Sequence, residues 1–204
     1  MKKIILITFS FSQIVFLCLY PVWSDLTSYL HPLVIGIVWF CFSVLVLFVV
    51  CLAKNVELRL PIVYFQIIMG LYSIGLFVLL FFRPANQDYG EINLVPFETI
   101  LFYLSGEVNT IIAVYNLAAN FGLFLPFGVY YVYVRKVPRL SELLLVAVVS
   151  VCIIESSQFL TKRGSLDMDD LILNVLGVVT GYYLFPLIRK VLVVLPKGSK
   201  TSRK

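Results

Sequence analysis

At 204 residues, with 61% hydrophobic and only 13% charged side chains, the chain has too little polar surface to coat a water-soluble globule, where roughly a quarter of the residues would be charged. A mean hydropathy of +0.99 points the same way. The net charge of +5 does not describe a nucleic-acid surface, because the basic residues occupy short connections and the C-terminus, where they act as topology signals and meet anionic lipid headgroups.

In chain order, Met1-Lys-Lys followed by the apolar run from Ile4 to Tyr20 resembles a signal peptide, but no small-x-small cleavage site follows. The run is read as a retained first span. A bilayer core needs about 20 apolar residues per helix, and the stretches 4–22, 33–53, 61–82, 110–134, 143–161 and 169–188 meet that need. Pro21, Pro32, Pro61, Pro84 and Pro138 fall at the breaks, where a helix can start or stop without losing an internal bond. The expected fold is all-α, a polytopic transmembrane bundle of about six spans. With the N-terminus inside, 13 of the 16 basic residues lie on the inner side and only Arg83, Lys162 and Arg163 outside, so both termini are expected in the cytoplasm. The organisation that follows is two N-terminal helices over 1–60, a membrane domain over 61–190 with an external loop at 83–109, and a basic tail over 191–204. The external loop is long for a plain linker, and Asn93-Leu-Val-Pro96-Phe97-Glu98 and Phe102-Tyr103-Leu104 are apolar enough to lie on the membrane or dip into it.

Cys18, Cys41, Cys51 and Cys152 all lie in or beside apolar runs, none in a Cys-x-x-Cys pair, and His31 is the only histidine. Neither structural zinc nor a disulfide framework is expected, nor any cofactor. Polar residues concentrate elsewhere. The fifth span carries Glu155 and Gln158, the following loop Arg163, and the sixth span Asp167, Asp170 and Asn174, followed by Gly177 and Gly181. Ionisable groups at membrane depth cost free energy and mark sites. Glu155 lies about six residues, roughly 9 Å, below the outer end of its span. If the sixth helix already runs through Asp167, the acids, Asn174 and the two glycines share one stripe, polar above and open to a neighbouring helix below. Asn116 and Asn120 in the fourth span face the same depth, ahead of Pro126. Asn120, Glu155, Gln158, Asp167, Asp170 and Asn174, with Arg83 or Arg163, can therefore converge in a pocket open to the outer leaflet. The plain alternatives are helix capping by the acids, amide bonds that glue helices, and an exposed ion pair at Arg163.

Four motifs, Asn93-Leu-Val-Pro96-Phe97, Asn120-x-x-Leu123-x-x-Pro126-Phe-Gly128, Glu155-x-x-Gln158-Phe and Asp167-x-x-Asp170-x-x-x-Asn174-x-x-Gly177-x-x-x-Gly181, occur in the order and with the separations of the VanZ-like family. The chain resembles that family over about residues 83–185. The resemblance implies a bacterial, Gram-positive, multi-pass cell-membrane protein of the cell envelope. It also implies a link to the family's namesake, which lowers susceptibility to teicoplanin, a lipid-tailed antibiotic. The partner class is then a membrane lipid, a cell-wall precursor or a lipidated antibiotic, bound without catalysis. Two other readings stand beside it. One is a hydrolase or transferase acting on lipid headgroups through its carboxylates. The other is a small transporter using Pro126 and the glycines to move a helix.

Overall fold

The computed structural model describes residues 2–27, 33–81 and 92–196, and the protein is 77% helical. The elements are α1 (Lys2–Cys18), α2 (Tyr20–Thr27), α3 (Leu33–Ala53), β1 (Leu58–Pro61), α4 (Ile62–Phe81), β2 (Ile92–Asn93), α5 (Glu98–Leu104), α6 (Thr110–Val134), α7 (Leu140–Leu160), β3 (Leu166–Asp167), α8 (Met168–Ile188) and β4 (Leu192–Leu195). Among the described residues, α3, α4, α6, α7 and α8 are long and apolar enough to cross a bilayer. This is an all-α membrane protein. The first expected span departs from a single helix: α1 stops at Cys18 after 17 residues and α2 resumes at Tyr20. Pro21 is the physical reason, since it has no N–H to offer the Leu17 carbonyl and crowds it. The flanking bonds from Leu19 N to Val15 O (3.0 Å) and from Trp23 N to Leu19 O (3.1 Å) are kept, so the two pieces follow one another closely.

The described residues divide into two compact units. One comprises residues 2–27, 33–75 and 186–196. Here α1 packs on α3 through a polar seam: Gln13 Nε2 donates to Ser43 Oγ (3.2 Å) and Trp39 Nε1 donates to Gln13 Oε1 (2.5 Å). Phe16, Trp23 and Phe42 stack beside it with ring centroids 5.7–6.0 Å apart. Between apolar helices in lipid, such bonds and close packing do the work that water-driven burial does elsewhere. In the same unit β1 pairs in parallel with β4, Leu58 opposite Leu192 and Pro61 opposite Leu195. This pairing joins the connection before α4 to the segment after α8.

The other unit comprises residues 76–81 and 92–185. Its core is built from Leu76 and Leu80 of α4, Phe124 of α6, Leu143, Ala147 and Val151 of α7 and Val178 of α8. The α7 contribution recurs every fourth residue, so one stripe faces inward and Leu145, Val149 and Ile153 face out to lipid. α6 runs through Pro126 without interruption. At the α6–α7 connection Arg135 pairs with Glu142, whose other oxygen accepts the Tyr131 hydroxyl (3.0 Å). At the opposite end of α8, β2 pairs in parallel with β3, Asn93 opposite Asp167. The 92–109 segment and the α7–α8 connection therefore lie on the same side, as the charge count requires of two external loops.

Candidate functional site: a buried amide and carboxylate cluster

Backbone contact between α6 and α8 sets the geometry. A Cβ added at Gly177 would lie 2.0 Å from the Phe121 carbonyl oxygen, one at Gly181 2.1 Å from that of Leu125, and one at Gly128 1.9 Å from that of Val178. Only hydrogen fits at these three positions, which is the close approach expected from the glycine half of the α8 stripe. Asn120 and Asn174 stand just beyond this contact. Asn120 Nδ2 donates to Asp170 Oδ1 across the two helices.

α7 supplies the third wall. Glu155 and Gln158 continue the inward stripe of Leu143, Ala147 and Val151, and both are buried. Asn174 Nδ2 donates to Glu155 Oε1 at 3.4 Å, a long bond. Asn174 is itself only 2% exposed, and its Oδ1 is buried with no hydrogen-bond partner. Gln158 is committed differently: its Nε2 donates to the Leu80 carbonyl (3.0 Å), one of the last carbonyls of α4, which no helical N–H can reach. Gly164 in the following turn lies against it, an added Cβ coming 3.1 Å from Gln158 Cβ.

The acids at the start of α8 do two jobs. Asp170 turns down towards Asn120. Asp167 and Asp169 instead hold the segment between α4 and α6. Asp169 has no exposed surface, and its oxygens accept the backbone N–H groups of Phe97 (2.5 Å) and Ile100 (3.0 Å) at the start of α5. Asp167 accepts the Thr99 hydroxyl (2.6 Å) and the N–H of Asp169 (2.8 Å). Asn93 completes the knot, donating to Thr99 Oγ1 (3.0 Å) and accepting from Val95 N (3.0 Å). Phe97 meets this geometry in a left-handed conformation, φ 68°. The negative side chains also suit the positive end of the α8 dipole.

The expected stripe therefore needs one correction. Asp167 is not on the helix; it lies in β3 and caps α8, because its carboxylate takes the N–H of the second helical residue. Of the predicted site residues, Asn120 is joined to Asp170 and Glu155 to Asn174, in the same half of α8. Gln158 sits beside them, bonded to the end of α4. Arg163 is half-buried in the α7–α8 turn, its N–H on the Gln158 carbonyl (2.8 Å). Arg83 and His31 lie outside the described residues. Asn116 bonds its own helix at Ile112 O (3.0 Å) and takes no part in the cluster. Asp169, Thr99 and Asn93 were not among the predicted site residues. A third acid in one short run, when a helix N-terminus needs only one, was the available signal for Asp169.

Chemically the cluster offers amide donors and carboxylate acceptors from three helices, α6, α7 and α8, on the side of the bundle that carries the β2–β3 pair. Ser157 donates to its own helix at Ile153 O (2.6 Å), and Ser156 is exposed on the same outward side of α7. Among the described residues no three His, Cys, Asp or Glu side chains come together as a metal site, and all four cysteines are free thiols. No curated protein and no solved structure matches the chain. The VanZ/LLP1 family model, in contrast, matches residues 62–189, more than half of the chain, from α4 through α8 and the whole described cluster. The protein belongs to the VanZ/LLP1 family.

Proposed function

We propose that this VanZ-like membrane protein acts at the outer leaflet of a bacterial cell membrane. It binds the polar head of an amphiphile (a membrane lipid, a lipid-linked cell-wall precursor or a lipidated antibiotic) and lowers susceptibility to teicoplanin or other lipoglycopeptides without catalysis. One observation carries the reading: the Asn174 carbonyl oxygen is buried beside Glu155 with no partner. A buried orphan acceptor costs about 1–3 kcal/mol. A donor from a ligand headgroup would satisfy it, while tails lie along the exposed apolar faces of the spans. Among the described residues the hydrolase and transporter readings have no comparable support: Ser157 spends its hydroxyl on its own helix at Ile153 O, and α6 runs through Pro126 as one unbroken helix.

The test is deletion of the gene and its restoration as wild type, as Glu155→Gln/Asp170→Asn, or as Asn174→Leu, at matched membrane levels. Deletion is expected to sensitise cells to teicoplanin more than to vancomycin, and neither variant is expected to rescue. Asn174→Leu removes the orphan acceptor together with the long Nδ2 bond to Glu155, so its melting temperature in detergent should stay close to that of the wild type while rescue fails. Full rescue by both variants would sink the binding site. An unchanged response to both drugs on deletion would remove the lipoglycopeptide arm.

A further inference from the structure

We propose that the segment from Ile92 to Leu104 is inserted into the outer leaflet and that lipid acyl chains cover its outward face. The inference concerns a different surface from the polar cluster and holds whatever that cluster binds. α5 is inverted relative to a helix on a water-soluble surface. Thr99, Ile100 and Tyr103 turn towards the protein, while Phe97, Leu101 and Leu104, at offsets of one and two turns, face outward at 55%, 63% and 67% exposure. Leu94, Val95 and Phe102 extend that surface. Apart from Glu98, every exposed residue from Ile92 to Leu104 is apolar, and polar residues return at Ser105, Glu107 and Asn109.

The backbone identifies the occupant. Irregular chain can leave water only where its N–H and C=O groups are satisfied from within the protein. Here Val95 N donates to Asn93 Oδ1, Phe97 N and Ile100 N to the buried Asp169 carboxylate, and Leu101 N to Phe97 O (2.9 Å). A loop standing in water would have those donors solvated without spending a fully buried carboxylate on them. α5 also packs against α6, whose Ile112 and Val114 are exposed at the start of a helix long and apolar enough to span. Lipid is already the solvent on that surface.

The full chain is reconstituted in phosphatidylglycerol/phosphatidylcholine vesicles opened so that both faces meet a water-soluble maleimide, with the wild type giving the background of the native cysteines. Leu101→Cys is expected to label roughly tenfold or more slower than Glu107→Cys, the scale set by removing a side chain of this size from water. Leu104→Cys repeats the measurement on the same stripe, so one misfolded variant does not decide it. In parallel, the added fluorescence of Leu101→Trp is expected to be quenched by lipids brominated along their acyl chains. Equal labelling at positions 101, 104 and 107 places the segment in water and overturns the proposal. Slow labelling without lipid quenching assigns the face to a second copy of the chain and overturns it equally.

Discussion

Asp169 has no exposed surface, and both of its oxygens are taken by the N–H groups of Phe97 and Ile100, so this one side chain fastens α5 to α8. Asp169→Ala leaves the Phe97 and Ile100 N–H groups without acceptors, and we expect it to cost roughly 3 kcal/mol. Asp169→Asn keeps one acceptor oxygen and should fall between the two. Thermal melting in detergent, with limited proteolysis at 92–109, reads both effects. A melting temperature for Asp169→Ala equal to the wild type, without earlier cutting, would contradict the anchoring role. The sequence brought Asp167 and Asp170 forward and passed over Asp169 for a physical reason. Its partners are backbone N–H groups, which leave no mark in the side-chain pattern. Moving the helix start from Asp167 to Met168 also decides which acid caps, which anchors and which meets Asn120. Glu155 and Asn174 stood out in the sequence as a carboxylate and an amide inside apolar runs, but their bond to each other did not, because Arg163 offered Glu155 another partner and only the packing of α7 on α8 decides between them.

Among the elements, α6 and α8 carry the cluster because their backbones touch. The three contact glycines differ from Gly122, where an added Cβ would meet nothing within 4 Å. Gly128→Ala, Gly177→Ala and Gly181→Ala are each expected to cost about 3 kcal/mol, the upper end of what overpacking costs, since the intruding methyl meets backbone that cannot turn aside. Gly122→Ala is expected to be neutral or to gain up to about 1 kcal/mol, because alanine is the better helix former. Unfolding in detergent, followed by gel filtration, separates the two classes. Loss of fold in Gly122→Ala, or normal melting in the other three, would refute helix contact as the cause. This part of the fold was readable in advance: Gly177 and Gly181 repeat at one turn below the polar residues, and such spacing in an apolar helix announces a close neighbour. Which helix approaches was not readable, since Gly128 and Gly122 look alike in sequence and only the three-dimensional approach separates them. The short parallel pairs β1–β4 and β2–β3 were equally hidden, because two- and four-residue strands have no periodicity of their own to detect.

For the whole molecule, orientation depends on whether the first helix crosses. α1 alone, at 17 residues, spans about 26 Å, short of a bilayer core of about 30 Å. α2 continues it to Thr27 beyond the Pro21 break, and together they are long enough. The polar seam of Gln13 with Ser43 and Trp39 ties α1 alongside α3, the most apolar of the spans, so α1 should share its depth. With α1 crossing, the chain has six crossings and both ends are on one side. The strand pairs obey the same parity: β1 with β4 joins two connections that the charge count places inside, and β2 with β3 joins two that it places outside. We therefore expect green fluorescent protein fused at either terminus to fold and fluoresce in the cytoplasm. Alkaline phosphatase inserted after Glu107 should be active outside. A silent N-terminal fusion with a bright C-terminal one would mean that α1 lies along the surface and that five helices cross. The outer cluster would keep its side in that case, because the parity from α3 onward does not depend on α1. A dark C-terminal fusion with active phosphatase there would invert α8 itself. The acids and amides would then face the cytoplasm, and the outer-leaflet function would fall with them.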